Sequence, residues 1–300
     1  MGRVIVVGDD VKRMWVKNEQ FFAINHEDAI LQAPCEDIDA VIVDAYEPVD
    51  LSTHLIRRFA EHGTVLVVTD NKHMPSSISI SMSANLQRGA VQRAQVELSK
   101  PRRKRIWQTL VVAKIENQAL VLRHHGHSSA RLDHLAKTVQ SGDATNNEAQ
   151  AARIYWQYLG TALDGGRSQR TRHGLNGALD YGYAVARALL ARAVVATGLD
   201  PAMSVFHSSR VNPFALVDDL IEPFRPVVDS HALLLRPEDD LTKQDRAHLA
   251  GVVLRQVELA GKKGPLSTVV ERYADAYRRC VVDQDQLLDT PRIVLDGRAE

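Results

Sequence analysis

The hydrophobic period of this chain changes near residue 88, and that change limits the fold more than any other feature of the sequence. Before it, residues 4–7, 21–24, 40–43 and 65–68 are short β-branched or aromatic runs broken by Gly, Asp and Asn, which predicts strands. Residues 77–81 alternate Ser with Ile, the pattern of a half-buried strand. Leu51, Leu55 and Phe59 recur at helical spacing, and Gly63 follows as a C-terminal cap, so one helix interrupts the strands. Residues 70–75 form a turn-rich connector. Beyond residue 88 the 3.6-residue period takes over. Leu175, Leu179, Ala186, Leu189, Leu190 and Val194 share a stripe ending at Gly198. Leu249, Val252, Val253, Val257 and Leu259 predict a second stripe ending near Gly261, and Val269, Tyr273 and Tyr277 a third. The expectation is an α+β fold, with a β-rich domain over residues 1–87 and a larger α-helical domain over residues 88–300.

Three hundred residues are enough for two cores. No apolar run approaches the roughly 18 residues of a membrane span. The first residues read as a strand, because acidic Asp9 and Asp10 follow the short apolar run where a signal peptide has a small-residue cleavage site. Cys35 and Cys280 lie far apart and form neither a disulfide framework nor a zinc-type pair, which fits a reducing cytoplasm. Lys plus Arg and Asp plus Glu are each 37, so the formal charge is zero, but it is unevenly spread. Residues 1–87 hold 7 basic and 13 acidic side chains, whereas residues 88–105 hold 7 basic and 1 acidic. A concentrated basic segment of this kind suits a polyanion partner.

Three groups carry possible chemistry. Glu148 opens a helix after residues 143–147, His207 follows Phe206, and Asp218, Asp219 and Glu222 cluster before Pro223. On a continuous helix Asp219 and Asp218 lie three and four residues from Glu222, so both pairs can share a face, and a cation would relieve their repulsion. Oxygen ligands with one imidazole suit Mg2+ or Mn2+ better than zinc. Each group also has a plainer reading: Glu148 as a helix-dipole partner, His207 as a hydrogen-bonded structural imidazole, Asp218 and Asp219 as a solvated face. His124, His125 and His127, without nearby carboxylates, read as a polar linker. There is no phosphate-binding Gly-x-x-x-x-Gly-Lys-Ser/Thr loop.

Residues 174–185, 198–201, Phe206-His207 and 215–229, in that order, resemble the CRISPR spacer-acquisition integrase family, CRISPR-associated protein one. Residues 148–156 look like that family's catalytic-glutamate helix. Residues 70–76, with Trp107-Gln108 through Lys114-Ile115-Glu116-Asn117-Gln118, look like its type II branch. The resemblance covers most of the chain and is weakest over residues 8–38 and after 235. It implies that Glu148, His207 and Glu222 bind a divalent metal and act in catalysis, with Asp219 as a supporting acid at the metal. It implies that a terminal 3′-hydroxyl of incoming DNA attacks a phosphodiester of the repeat, an exchange that needs no nucleotide fuel. It also implies a homodimer, formed through the β-rich domain, that works with a small partner subunit, CRISPR-associated protein two, and beside a type II effector nuclease. Two positions depart from the family pattern: Ala149 stands where Gly is usual, and Asp180 where Asn is usual.

Arg88, Arg93, Lys100, Arg102, Arg103, Lys104 and Arg105 could follow a DNA backbone, or could face solvent or an acidic protein surface. Arg167, Arg170 and Arg172, on the most loop-like segment of the second half, are candidate strand contacts. Two other readings use the same residues: a stand-alone metal-dependent DNA nuclease with water as the attacking group, and a non-catalytic DNA-binding scaffold whose acids only cap helices.

Overall fold

A computed structural model describes residues 3–70, 75–79, 87–159, 174–207, 209, 211–235, 241–283 and 285–295. The chain divides into two compact units, Met1–Arg88 and Gly89–Glu300.

The first unit runs β1 (Arg3–Val7), β2 (Val11–Lys17), β3 (Gln20–Asn25), β4 (Ile30–Pro34), β5 (Ile38–Val43), β6 (Asp50–Leu51), α1 (Thr53–His62), β7 (Val65–Thr69) and β8 (Pro75–Ser79). It holds two four-stranded sheets, ordered β1-β5-β7-β8 and β4-β3-β2-β6. β5 is parallel to both β1 and β7. Its residues Ala40, Val41, Ile42 and Val43 are all buried, the unbroken apolar run of an interior parallel strand. β2 was not legible from sequence: Met14 and Val16 point inward while Arg13, Trp15 and Lys17 line the outer face and mask the run. It forms a hairpin with β3 through Asn18 and Glu19, both with positive φ, and Trp15 stacks on Phe22 across the pair at 5.2 Å. The helix α1 buries Leu55 and Phe59, is capped by the Ser52 hydroxyl accepting from Leu55 N at 3.2 Å, and ends at Gly63 with φ 71°. Leu51, expected on its apolar face, instead pairs with Met14 as part of β6.

The second unit begins with α2 (Arg88–Glu97), α3 (Lys100–His124), α4 (Ala130–Lys137), α5 (Asn147–Leu159) and α6 (Gly174–Ala196). It continues with α7 (Ala215–Leu220), a 3-10 turn at Glu222–Phe224, α8 (Arg225–Ala232), α9 (Lys243–Ala250) and a second 3-10 turn at Gly251–Leu254. A small three-stranded sheet is formed by β9 (Gln256–Leu259), β10 (Lys262–Pro265) and, after α10 (Leu266–Val282), β11 (Arg292–Ile293). α3 and α6 are buried over most of their length and form the centre of this unit. α8 approaches α6 so closely that a Cβ at Gly182 would lie 2.6 Å from Val228 Cγ1.

The expected helical stripe from Leu249 to Leu259 is corrected. Helix α9 stops at Ala250, and Val257 and Leu259 alternate inward on β9. Ala260 and Gly261, with φ 50° and 75°, form the two-residue turn into β10. No helix among the described residues is long and apolar enough to cross a membrane. Cys35 and Cys280 are free and buried.

Candidate active site

Glu148 sits in the first turn of α5, and the preceding loop fixes its direction. Asp143, held at φ 50°, accepts from Asn147 N at 2.8 Å and Glu148 N at 3.1 Å, satisfying helix-end donors. The Asn147 side chain donates to Leu135 O at 2.8 Å and Thr138 Oγ1 at 3.1 Å, tying the start of α5 to the end of α4. The Glu148 carboxylate then accepts a hydrogen bond from Lys114 Nζ at 2.6 Å.

Glu222 arrives from another element. Pro223 has no N–H to continue a helix, and the chain tightens into the 3-10 turn. Asn117, one turn along α3 from Lys114, donates to Pro223 O at 2.8 Å and Pro291 O at 3.0 Å and accepts from Ile293 N at 3.0 Å. That buried amide fixes the turn on α3 and places the Glu222 carboxylate, 6% exposed, beside Lys114. Arg225 Nε donates to Glu222 Oε1 at 2.8 Å. Lys114 contacts the buried Oε2 as an ion pair.

Burial alone would raise the Glu222 pKa, but the Arg225 and Lys114 charges outweigh it and push it down to about 2. Burial alone would lower the Lys114 pKa; the Glu222 and Glu148 carboxylates reverse that and raise it. One ammonium therefore touches both carboxylates, whose oxygens lie no further apart than two hydrogen-bond lengths.

His207 stands beside this pair on the loop before α7. Its Nδ1 meets Asp219 Oδ1 at 2.6 Å. Asp219 is fully buried, and its Oδ2 accepts from Val205 N at 2.7 Å and Phe206 N at 2.8 Å, so one carboxylate shapes the loop and orients the ring. The ring packs edge-on against Trp107 at 5.0 Å and Phe206 at 5.4 Å, which stack on each other at 4.5 Å. The Asp219 hydrogen bond raises the His207 pKa; burial opposes it, and the Glu148 and Glu222 charges add to the rise, so both lie within electrostatic reach of the ring. A carboxylate on Nδ1 makes that nitrogen the protonated one and leaves Nε2, on a side chain 54% exposed, as the nitrogen available to a ligand.

The three acids of residues 218–222 do not share a face. Asp218 is held by Arg187 at 2.6 and 3.0 Å and by Asn212 Nδ2 at 2.6 Å; Asp219 serves the His207 loop, and Glu222 faces Lys114 and Arg225. α7 ends at Leu220, so the i to i+4 relation expected on a continuous helix is lost. Among the described residues no three His, Cys, Asp or Glu side chains stand in metal-holding geometry. Glu148 and Glu222 converge on Lys114 instead, with His207 within electrostatic reach of both.

The basic segment divides. Arg102, expected to face DNA, is buried, and its guanidinium reaches Cys280 Sγ at 3.2 Å, Cys280 O at 3.5 Å and Gln286 O. Arg103 donates to Leu98 O at 3.1 Å, Gln95 O at 3.1 Å and Ser204 O at 3.2 Å. Both guanidiniums are engaged by backbone carbonyls within the fold. Lys104 and Arg105 are exposed. Arg167, Arg170 and Arg172 lie outside the described residues. Ala149 and Asp180 are both exposed, on α5 and α6. Sequence reasoning gave no role to Lys114, Asn117, Asp143 or Arg225. The usable signal for Lys114 was a cation amid the buried Leu110, Val111 and Ile115 of an apolar helix.

Fold and site together define a two-unit α+β protein with an acid pair and a carboxylate-held imidazole inside its helical unit. The CRISPR associated protein Cas1 family matches residues 5–259, and the chain belongs to that family. The CRISPR-associated endonuclease Cas1 of Neisseria meningitidis serogroup C (strain 8013) is 34% identical over 269 residues, covering 87% of each chain. The CRISPR-associated endonuclease Cas1 of Hyperthermus butylicus is 26% identical, over 91% of this chain and 94% of that one. Among solved structures, a casposase bound to its integration product superposes with a TM-score of 0.79 at 19% identity, covering 96% of this chain and 92% of that one. A Cas1 protein from Thermotoga maritima does so with 0.76 at 13% identity, covering 98% and 100%.

Proposed function

We propose that this chain is a divalent-metal-dependent DNA integrase that inserts short foreign DNA into a CRISPR array by phosphodiester strand transfer. The convergence of Glu148 and Glu222 on one cation, with the Asp219-oriented imidazole of His207 alongside, carries this reading. The chemistry of the donor set suits Mg2+ or Mn2+: two carboxylates and one imidazole nitrogen, with the two carboxylates already gathered around one cationic group. Glu148, His207 Nε2 and Glu222 would hold the ion, and Asp219 would orient His207 from behind. When bound, such an ion supplies Lewis-acid stabilisation of the charge that builds on phosphoryl oxygens.

The chain's own residues do the rest. His207 is kept in one ring orientation by Asp219, which holds Nδ1 and presents Nε2 to the ion. Arg225 keeps Glu222 ionised and anchored. Lys104 and Arg105, with Arg167, Arg170 and Arg172, are the proposed backbone contacts. The chain would act as a homodimer through its β-rich unit, with the small partner subunit of this family; a solved complex containing Cas1 and Cas2 shares its fold. The motif at residues 114–118 supports placement in the type II branch, beside an effector nuclease.

A joining assay with labelled duplex bearing free 3′-hydroxyls and supercoiled repeat-containing DNA tests this. Mn2+-dependent covalent joining, lost in Glu148→Gln and His207→Ala, is the expected result. Hydrolysis without joining would favour the stand-alone nuclease, and DNA binding without any strand cleavage the scaffold.

A further inference from the structure

We infer that the Lys114 ammonium is an internal occupant of the cation position between Glu148 and Glu222, and that a divalent ion enters by displacing it. The inference rests on the metal-centre reading above and goes beyond it. Lys114 is 8% exposed, hydrogen-bonds Glu148 at 2.6 Å and touches Glu222 Oε2. Glu148, Glu222, Lys114 and Arg225 sum to zero charge, so the acid pair is already neutralised by the chain itself. A dication added on top of both cations would leave a surplus of two positive charges in a poorly solvated pocket, where charge interactions are strong. Exchange with Lys114 removes one of those charges and frees the two oxygens it covers.

The contact itself indicates which cation is exchangeable. Arg225 holds Glu222 with an aligned Nε donor and lies 4.8 Å over the Tyr183 ring. Lys114 divides its single ammonium between Glu148 Oε1 and Glu222 Oε2. Its four-carbon stem is flexible, whereas the guanidinium is planar and held on two sides. A merely structural lysine would preorganise the two acids, and its loss would weaken metal binding. An occupant does the opposite: the apparent affinity of the ion is reduced by the fraction of molecules in which the site is open.

The test is Mn2+ titration of the full-length protein by calorimetry or by the paramagnetic resonance of free Mn2+, comparing wild type with Lys114→Met. If Lys114 covers the site nine-tenths of the time or more, the variant binds Mn2+ about tenfold tighter or better. Equal or weaker, but measurable, binding by the variant overturns the inference and leaves the metal centre standing. No Mn2+ binding by either protein overturns both. Should Lys114→Met fail to fold, reductive methylation of the wild type followed by mass spectrometry decides. Lys114 labelling that rises several-fold on Mn2+ saturation supports displacement, and labelling unchanged by Mn2+ refutes it.

Discussion

At the scale of single residues, Glu148 and Glu222 differ in what their loss does. Glu148 is partly exposed and anchored by its helix cap, so Glu148→Gln should cost little stability while lowering strand transfer at least about a hundredfold. Glu222→Ala would leave the buried Lys114 and the half-buried Arg225 without their shared acid, a loss of about 3 kcal/mol. Thermal melts run beside the joining assay separate the two effects. The basic segment makes a matching contrast. Arg102→Ala should destabilise the fold by about 1–3 kcal/mol and leave the salt dependence of DNA affinity unchanged. Lys104→Ala and Arg105→Ala should each reduce the slope of log affinity against log salt by about 1. Residue identity alone could not separate these neighbours, because which of them is occupied depends on tertiary partners at Cys280 and Ser204. It offered Glu148, His207 and the acids of residues 218–222 only as candidates, and the family resemblance singled out Glu148, His207 and Glu222. It assigned nothing to Lys114, whose meaning comes from two acids 34 and 108 positions away.

At the scale of elements, packing sets the outcome. Gly182 lets α6 and α8 touch, and Gly182→Ala forces Val228 aside. Overpacking costs about 1–3 kcal/mol, and the better helix propensity of Ala returns at most about 1, so a lowered melting temperature is expected. The α8–α9 contact brings a pH response. His231 stacks on His248 at 4.5 Å and meets His248 O at 2.8 Å through Nε2, while its Nδ1 is buried without a partner. Burial lowers its pKa, with the His248 and Arg255 charges acting in the same direction and the His248 backbone bond opposing. The folded state therefore resists protonating this ring. Stability is unaffected above the unfolded imidazole value of about 6.5, and is lost as pH falls below it through the folded value. Melting temperatures between pH 7.5 and 5 should fall less in His231→Gln than in wild type. Elements with one clean period, such as α6, α10, β5 and β7, were legible in the sequence. The β9–β10 hairpin was not, because Val252, Val253, Val257 and Leu259 fit a helical stripe until the turn at Ala260-Gly261 is seen.

For the whole molecule, the division near residue 88 was visible as a change of hydrophobic period. The β-rich unit keeps its own core around Phe21, Val41, Leu55 and Phe59. The helical unit carries every described member of the candidate site, with α3 as its spine: Lys114 meets the acids and Asn117 fixes the turn that delivers Glu222. No local pattern could reveal that arrangement, since it joins α3, α5, α7 and the turn after α7 across the fold. The central claim is that Glu148, His207 and Glu222 hold one divalent ion. Anomalous diffraction from Mn2+-soaked crystals tests it most directly. One peak is predicted, within ligand distance of Glu148, His207 Nε2 and Glu222; a saturating soak that leaves this position without a peak, or places manganese only elsewhere, would contradict it.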